Sequence, residues 1–198
     1  MNNLLNLKSL NNRYFVIRHG ESEANVMGII LSNPLEGVPK FGLSIKGKEQ
    51  VRESVSSNKV LDFETIIYSS DFKRAFETAE IAKNILGAEV LILTPLLRER
   101  FFGKWERTEN KNYNEAWKED KINPDHTNGN VESANSVLNR TTKLILELED
   151  KFKDKKILLA SHGDALQILQ TGFMKVSASK HRELPHLNVA EIRELKLA

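Results

Sequence analysis

The chain of 198 residues contains no cysteine, and this absence removes several kinds of chemistry at once. Disulfide bonds, thiolate nucleophiles and thiolate metal sites are all excluded. Long apolar runs are also missing, since no stretch approaches the roughly 20 residues that a membrane-spanning helix needs. The asparagine-rich segment 1–12 lacks the continuous apolar core of a signal peptide. We therefore expect a cytoplasmic protein with no membrane partner.

An excess of charge of one sign is lacking as well. The formal net charge is only +2, which is too small to attract nucleic acid through the overall field of the protein. The hydrophobic fraction of 40% and the charged fraction of 28% are typical of a globular domain. We expect one domain over residues 1–198, no nucleic-acid partner, and recognition by charge only at a local site.

Short apolar runs alternate with segments of helical periodicity. The runs predict buried strands at 14–17, 65–68, 90–93 and 156–160, with a less regular edge strand within 187–195. Helical spacing is found at 44–57, 71–86 and 132–152, and again from residue 164. Asp71 is the expected N-cap of the second helix and Gly87 its expected end. This alternation predicts an α/β fold, namely a three-layer α/β/α sandwich with a mainly parallel central sheet.

Two stretches do not fit this alternation. Residues 28–43 hold several glycines and prolines and are predicted to form a surface loop. Residues 104–131 are polar, with Tyr113 and Trp117 set among charged residues, and are predicted to form an excursion over one end of the sheet. We expect both stretches to frame the mouth of a site, with their aromatic residues either lining it or packing the excursion onto the sheet.

The residues with chemical potential follow three of the predicted strands. They are Arg18-His19-Gly20-Glu21-Ser22, Ser69-Ser70-Asp71-Phe72-Lys73-Arg74 and Ser161-His162-Gly163-Asp164. In open α/β sheets, ligands bind outside the carboxyl ends of the strands, where such junctions converge. Two histidines and two arginines are therefore expected to face one crevice.

This set of residues favours a phosphate group as ligand. Arginine offers a planar fork of donors that matches phosphate oxygens, and helix N-termini add backbone N–H groups and a positive dipole end. Histidine is a nucleophile when neutral and a donor when charged. Taken singly, each side chain has a plainer interpretation as a hydrogen-bonded core residue or a surface ion pair. Three further histidines have no such context and are interpreted as structural or surface residues: His126, His181 and His186.

Four blocks of the sequence resemble the histidine phosphatase superfamily, which includes the cofactor-dependent phosphoglycerate mutases. They are Arg18 to Ser22 with Asn25, Ser69 to Ala79, Leu97 to Glu106, and Ser161-His162-Gly163. They occur in the family's order and span most of the chain. The resemblance implies a phosphoglycerate mutase-like fold and an enzyme that works through a phosphohistidine.

The resemblance also implies roles for individual residues. His19 would be the nucleophile, and Glu99 the proton donor to the leaving oxygen. Arg18, Arg74 and a protonated His162 would hold the charge of the transferring phosphoryl group without a metal ion or cofactor. A plainer interpretation of Glu99 is a salt bridge to Arg98 or Arg100. The residues expected to bind substrate are Ser22, Asn25, Gly163, Asp164 and Arg100.

Within this family we predict a metal-independent phosphatase of the histidine acid type that hydrolyses a small phosphorylated metabolite. A phosphoglycerate mutase-type transfer is the alternative. The chain is shorter than typical family mutases, and Phe102 stands where those enzymes usually have tyrosine. Asp164 stands where they usually have asparagine, and its charge would repel a substrate with a second phosphate. A non-catalytic phospho-ligand binding module is less favoured, because such a protein should have lost the nucleophile or the proton donor. The sequence leaves open whether the protein forms a homodimer.

Overall fold

The computed structural model describes all residues, 1–198, and contains a five-stranded sheet. Its strands are β1 Arg13–Arg18, β2 Ile66–Ser69, β3 Leu91–Leu93, β4 Lys156–Ser161 and β5 Ile192–Leu195. They lie in the order β3-β2-β4-β1-β5. The first four strands are parallel, and β5 pairs antiparallel with β1 at the edge. The predicted mainly parallel sheet with a late edge strand is confirmed.

Seven helices surround this sheet. They are α1 Glu23–Met27, α2 Pro34–Gly37, α3 Ile45–Ser57, α4 Lys73–Leu86, α5 Tyr113–Ile122, α6 Ala134–Lys151 and α7 Gly163–Phe173. Helices α3 and α4 pack against each other, as do α6 and α7. None of the helices combines the length and apolarity needed to cross a bilayer.

The two faces of the sheet are covered by different helix pairs. Along β1, Tyr14 and Val16 belong to a buried cluster with side chains of α6 and α7. Phe15 and Ile17 point to the other face and join a cluster with α3 and α4. Successive residues of a strand face opposite sides, so a strand that is apolar throughout must be covered on both. The predicted three-layer α/β/α sandwich is confirmed.

The start of α4 differs from the prediction. Phe72 occupies the N-cap position with no side-chain capping bond, and the helix begins at Lys73. Asp71 instead accepts hydrogen bonds from Nε and Nη2 of Arg98 at 2.8 and 2.6 Å. A two-pronged bond to a guanidinium is stronger than a single bond to a backbone N–H, so the carboxylate turns away from the helix. The predicted end at Gly87 is confirmed, with a left-handed φ of 69°.

The two irregular stretches contain short helices and are bound to each other. Residues 28–43 include α2, and residues 104–131 include α5. Glu106 accepts hydrogen bonds from the backbone N–H groups of Ser32 and Asn33 and from the Ser32 hydroxyl at 2.5–3.0 Å. Ile30 N–H also donates to Thr108 O at 2.8 Å. The loop and the excursion therefore form one connected layer.

Candidate active site

The three predicted junctions converge at one edge of the sheet. Arg18 is paired with Ser161 at the ends of β1 and β4, and Ser69 is paired with Ala160 across β2 and β4. The residues that follow these strands are therefore neighbours. The rings of His19 and His162 lie 5.2 Å apart between centroids.

His19 is buried and its two ring nitrogens have different partners. Nδ1 lies 2.7 Å from Gly20 O. A carbonyl only accepts, so Nδ1 carries the hydrogen and Nε2 keeps its lone pair. Arg74 donates from Nε to that Nε2 at 3.0 Å. Burial lowers the pKa of His19 well below its usual value, and the charges of Arg74 and Arg18 lower it further. Nε2 is therefore unprotonated at physiological pH, as a nucleophile would have to be.

Three buried nitrogens near His19 have no hydrogen-bond partner in the protein: Arg18 Nε, Arg74 Nη1 and His162 Nδ1. Buried polar groups are normally paired, so such a concentration needs an explanation. Two guanidinium donors and an imidazole around one nucleophile match an anion with several acceptor oxygens. This is the strongest indication of a phosphate-binding site.

Backbone carbonyls hold the two arginines in place. Arg18 donates from Nη1 to Leu187 O at 2.9 Å, and Arg74 donates from Nη2 to Leu31 O at 3.0 Å. A Cβ at Gly163 would lie 3.3 Å from Arg18 Cζ, so the glycine gives the guanidinium room. A Cβ at Gly20 would lie 2.4 Å from Gly47 O, so the glycine allows the backbone of α3 to pack closely against this turn.

His162 differs from the prediction in its charge. Burial lowers its pKa well below the usual value, and Arg74 lowers it further, so the ring is neutral in the free protein. Its Nε2 lies 2.9 Å from the hydroxyl oxygen of Ser70, which accepts from Phe72 N–H at 3.2 Å. A Ser70 hydroxyl that donates to Nε2 leaves the ring hydrogen on Nδ1. His162 can then donate to a phosphate oxygen as a neutral group.

Glu99 makes no salt bridge, so the plainer interpretation of this residue is wrong. Its Oε1 accepts from the backbone N–H groups of Arg100 and Ala165 at 2.9 and 3.1 Å. Burial raises the pKa of Glu99 and the negative charge of Asp164 raises it further, against the opposing effects of Arg74 and the two N–H groups. The carboxyl therefore holds its proton to higher pH than an exposed glutamate does.

A cavity of about 290 Å³ is lined by Arg18 and Glu99 of this set. Three of the expected substrate-binding residues line it, namely Asn25, Gly163 and Asp164. The other lining residues are Arg18, Glu99, Asn110, Tyr113, Trp117, Arg182 and His186.

Ser22 and Arg100 do not line this cavity. Ser22 is the N-cap of α1 and forms a reciprocal capping box with Asn25. The Arg100 side chain has no exposed surface, and its guanidinium is bound to Asp120 at 2.6 and 2.7 Å and to Asp164 at 3.3 Å. In this structure Ser22 caps a helix and Arg100 binds buried carboxylates, and the expectation that these two residues bind substrate stays a prediction.

Two lining residues were missed from the sequence. His186, interpreted as structural or surface, lies 2.8 Å from Arg18 Nη1 through its Nε2. Arg182 lies with its guanidinium carbon 3.7 Å from the ring centroid of Trp117. Both come from the irregular segment between α7 and β5, where no periodicity or motif marked them. Tyr113 stacks on Trp117 at 5.5 Å, so the aromatic pair lines the cavity.

Comparison with known proteins identifies the family. The family model described as "Histidine phosphatase superfamily (branch 1)" matches residues 14–198. The chain belongs to this superfamily. The family match confirms the resemblance that the four sequence blocks predicted. Enzymes of this superfamily use a phosphohistidine intermediate.

Individual relatives agree with this assignment. The chain is 29% identical over 163 residues to phosphoglycerate mutase-like protein 4 of Arabidopsis thaliana, covering 78% of this chain and 67% of that protein. It is 29% identical over 165 residues to the adenosylcobalamin/alpha-ribazole phosphatase of Escherichia coli, covering 79% and 76%. The crystal structure of a phosphoserine phosphatase mutant from Entamoeba histolytica superposes with a TM-score of 0.75 at 25% identity, covering 92% and 89%. The phosphoglycerate mutase-like fold and membership of a phosphatase superfamily are thereby confirmed.

Proposed function

We propose that this chain hydrolyses the phosphomonoester of a small metabolite, with His19 as nucleophile and Glu99 as proton donor. The observation that carries the proposal is the set of three unpaired buried nitrogens around His19. Phosphoryl transfer depends mainly on positioning and on stabilising the equatorial oxygens, and these donors supply both.

The reaction proceeds in two steps. In the first, His19 Nε2 forms a bond to phosphorus while the ester P–O bond breaks, and Glu99 gives its proton to the leaving oxygen. In the second, water attacks the phosphohistidine and Glu99 accepts a proton from it. The N–P bond breaks, and inorganic phosphate leaves. The lowered pKa of His19 and the raised pKa of Glu99 both shift in the direction that the first step requires, which supports the proposal.

The residues support a reaction without a metal ion. Arg18 and Arg74 supply two buried positive charges beside His19, and Coulomb attraction between charges is strong in a buried site. No group of three or more histidine, aspartate or glutamate side chains is arranged to hold a metal ion. Activity at acid pH is a finer part of the same proposal, and the low pKa of His19 supports it.

A mutase-type transfer is the second candidate, because relatives include proteins described as probable phosphoglycerate mutases. Asp164 favours hydrolysis. It lines the cavity and shares its arginine partner, Arg100, with Asp120. A carboxylate in this position would repel the negative charge of a second phosphate on the substrate.

Hydrolysis of 4-nitrophenyl phosphate in the presence of a chelator tests the proposal. We expect turnover by the wild type, none by His19→Ala with an unchanged melting temperature, and a phosphorylated protein in rapidly quenched wild-type samples. A parallel assay for phosphoryl transfer between the positions of a phosphoglycerate separates hydrolase from mutase. Turnover that survives in His19→Ala would refute the assignment of the nucleophile.

A further inference from the structure

A buried cluster of charged and titratable residues lies beside the active site and is not used by the mechanism above. Its members, each less than a tenth exposed, are Arg100, Asp120, His126, Asp164 and His181. His126 Nε2 lies 2.9 Å from Asp120 Oδ1. His181 Nε2 lies 3.6 Å from Asp164 Oδ1 and 3.7 Å from Asp120 Oδ2. Burying a charge without a partner costs free energy, so buried charged groups are normally paired with one another or kept for a function.

The two carboxylates of the cluster share one guanidinium unequally. Arg100 contacts both Asp120 and Asp164. Its two short bonds, at 2.6 and 2.7 Å, both go to Asp120, whereas its contact with Asp164 is 3.3 Å long. Arg100 therefore binds Asp120 more closely than Asp164.

Asp164 lies next to the proton donor. Both Asp164 and Glu99 line the same cavity. Glu99 Oε1 accepts from the N–H of Ala165, the residue that directly follows Asp164 in the first turn of α7. On its other side Asp164 Oδ1 accepts from Trp117 Nε1 at 2.9 Å, which fixes the orientation of the carboxylate.

The charged and titratable groups around Glu99 include Arg140 of α6, whose Nη2 donates to Glu99 O at 3.3 Å, and Arg182 and His186, which line the same cavity. Arg18 ends β1 and Arg74 belongs to α4, and both favour the carboxylate form of Glu99. Tyr113 of α5 faces the same space with its hydroxyl neutral, because burial raises its pKa. Asp164 of α7 is the group that acts in the opposite direction to the arginines.

We propose that Asp164 is a positioning residue whose fixed negative charge keeps Glu99 protonated and extends phosphomonoester cleavage to higher pH. The inference rests on the function proposed above. It also gives α5 a role in the chemistry, because this helix supplies Asp120 and Trp117, which hold Arg100 and Asp164 in place.

The pH profile of kcat/KM tests this inference. The profile falls at high pH as Glu99 loses its proton, so removing the nearby negative charge must move that fall to lower pH. We expect Asp164→Asn to move it by about one pH unit, the size of shift that a neighbouring charge produces. Asp164→Glu keeps the charge and should stay near the wild type. Asp62→Asn is the matched control, because it removes a carboxylate that pairs with Lys156 at the start of β4.

The leaving group provides a second readout that a purely structural role would not change. Nitrophenolate leaves without a proton, whereas phenolate needs one. At a pH above the high-pH fall of the wild type, we expect Asp164→Asn to lose about tenfold in kcat/KM on phenyl phosphate, which corresponds to one unit of pKa. The loss on 4-nitrophenyl phosphate should be less than about twofold on the same scale.

An unchanged high-pH fall in a folded Asp164→Asn variant, or equal losses on both esters, would overturn the inference. Should Asp164→Asn fail to fold, Asp120→Asn takes its place. It removes one of the two negative charges of the cluster, so the fall should shift in the same direction by a smaller amount, and no shift overturns the inference. Failure of the proposed function is distinguishable, because it appears as absent wild-type turnover or as turnover that survives in His19→Ala.

Discussion

Replacing Arg74 by methionine should separate the activity of this protein from its stability. The side chain is buried, donates to His19 and to Leu31 O, and keeps Nη1 without a partner. Burial lowers its pKa, which shows that folding disfavours its positive charge. Methionine has a similar length and carries no charge, so the substitution removes the electrostatic cost together with the hydrogen bonds.

The expected changes in activity and in stability follow from the hydrogen bonds that Arg74 makes. Arg74 has one unpaired donor, Nη1, and its Nε becomes a second donor to the transferring phosphoryl group once His19 Nε2 bonds to phosphorus. Hydrogen bonds to charged groups contribute about 1.5–3 kcal/mol each, so their loss should raise the barrier by about 3–6 kcal/mol. This corresponds to a loss of about 10²- to 10⁴-fold in kcat/KM. In the free protein, two bonds of about 1.5–3 kcal/mol each are lost, while a cost of similar size for burying the charge is relieved. The free energy of unfolding should therefore change by less than about 2 kcal/mol.

Steady-state kinetics and denaturant unfolding measure the two quantities on the same preparation. The pH profile adds a third. Because the charge of Arg74 lowers the pKa of His19, its removal should raise that pKa and move the low-pH fall of kcat/KM to higher pH. A variant that keeps more than a tenth of wild-type kcat/KM, or that loses activity only through unfolding, would refute this account of the site.

Three further predictions concern the same edge of the sheet. Gly163→Ala would place a Cβ 3.3 Å from Arg18 Cζ, so kcat/KM should fall about tenfold with little change in melting temperature. Asp164→Asn should improve the use of a bisphosphorylated substrate relative to a monophosphate; an unchanged preference, measured by competing the two, means that repulsion plays no part. The buried neutral His19 and His162 have lowered pKa values, so their contribution to stability is present above about pH 6.5 and declines as the pH falls. Unfolding titrations from pH 8 to 5 should show this decline, and a smaller one in His162→Asn.

Local patterns determine much of this fold. A strand such as β1, apolar on both faces, requires cover on both sides wherever it lies in space, so the three-layer arrangement follows from its composition. The junction residues were also predictable, because each directly follows a strand and parallel strands end at the same edge. His19, Arg74 and His162 therefore met as expected.

Partners that are distant along the chain depend on the tertiary structure alone. Asp71 was expected to cap α4, but Arg98 lies 27 positions away and takes its carboxylate. Arg100 was expected to bind substrate, but it is neutralised by Asp120 and Asp164. No periodicity in the sequence encodes these pairs.

The protonation states of the site residues also depend on the tertiary structure. The sequence of the Arg18-His19-Gly20 turn predicts a nucleophile and a kind of ligand, since those properties belong to the residue types themselves. Whether His162 is charged and whether Glu99 keeps a proton depend on burial and on neighbouring charges. Both are sums over groups that only folding brings together. For the same physical reason the roles of Arg182 and His186 emerged only when an irregular segment was placed against the site.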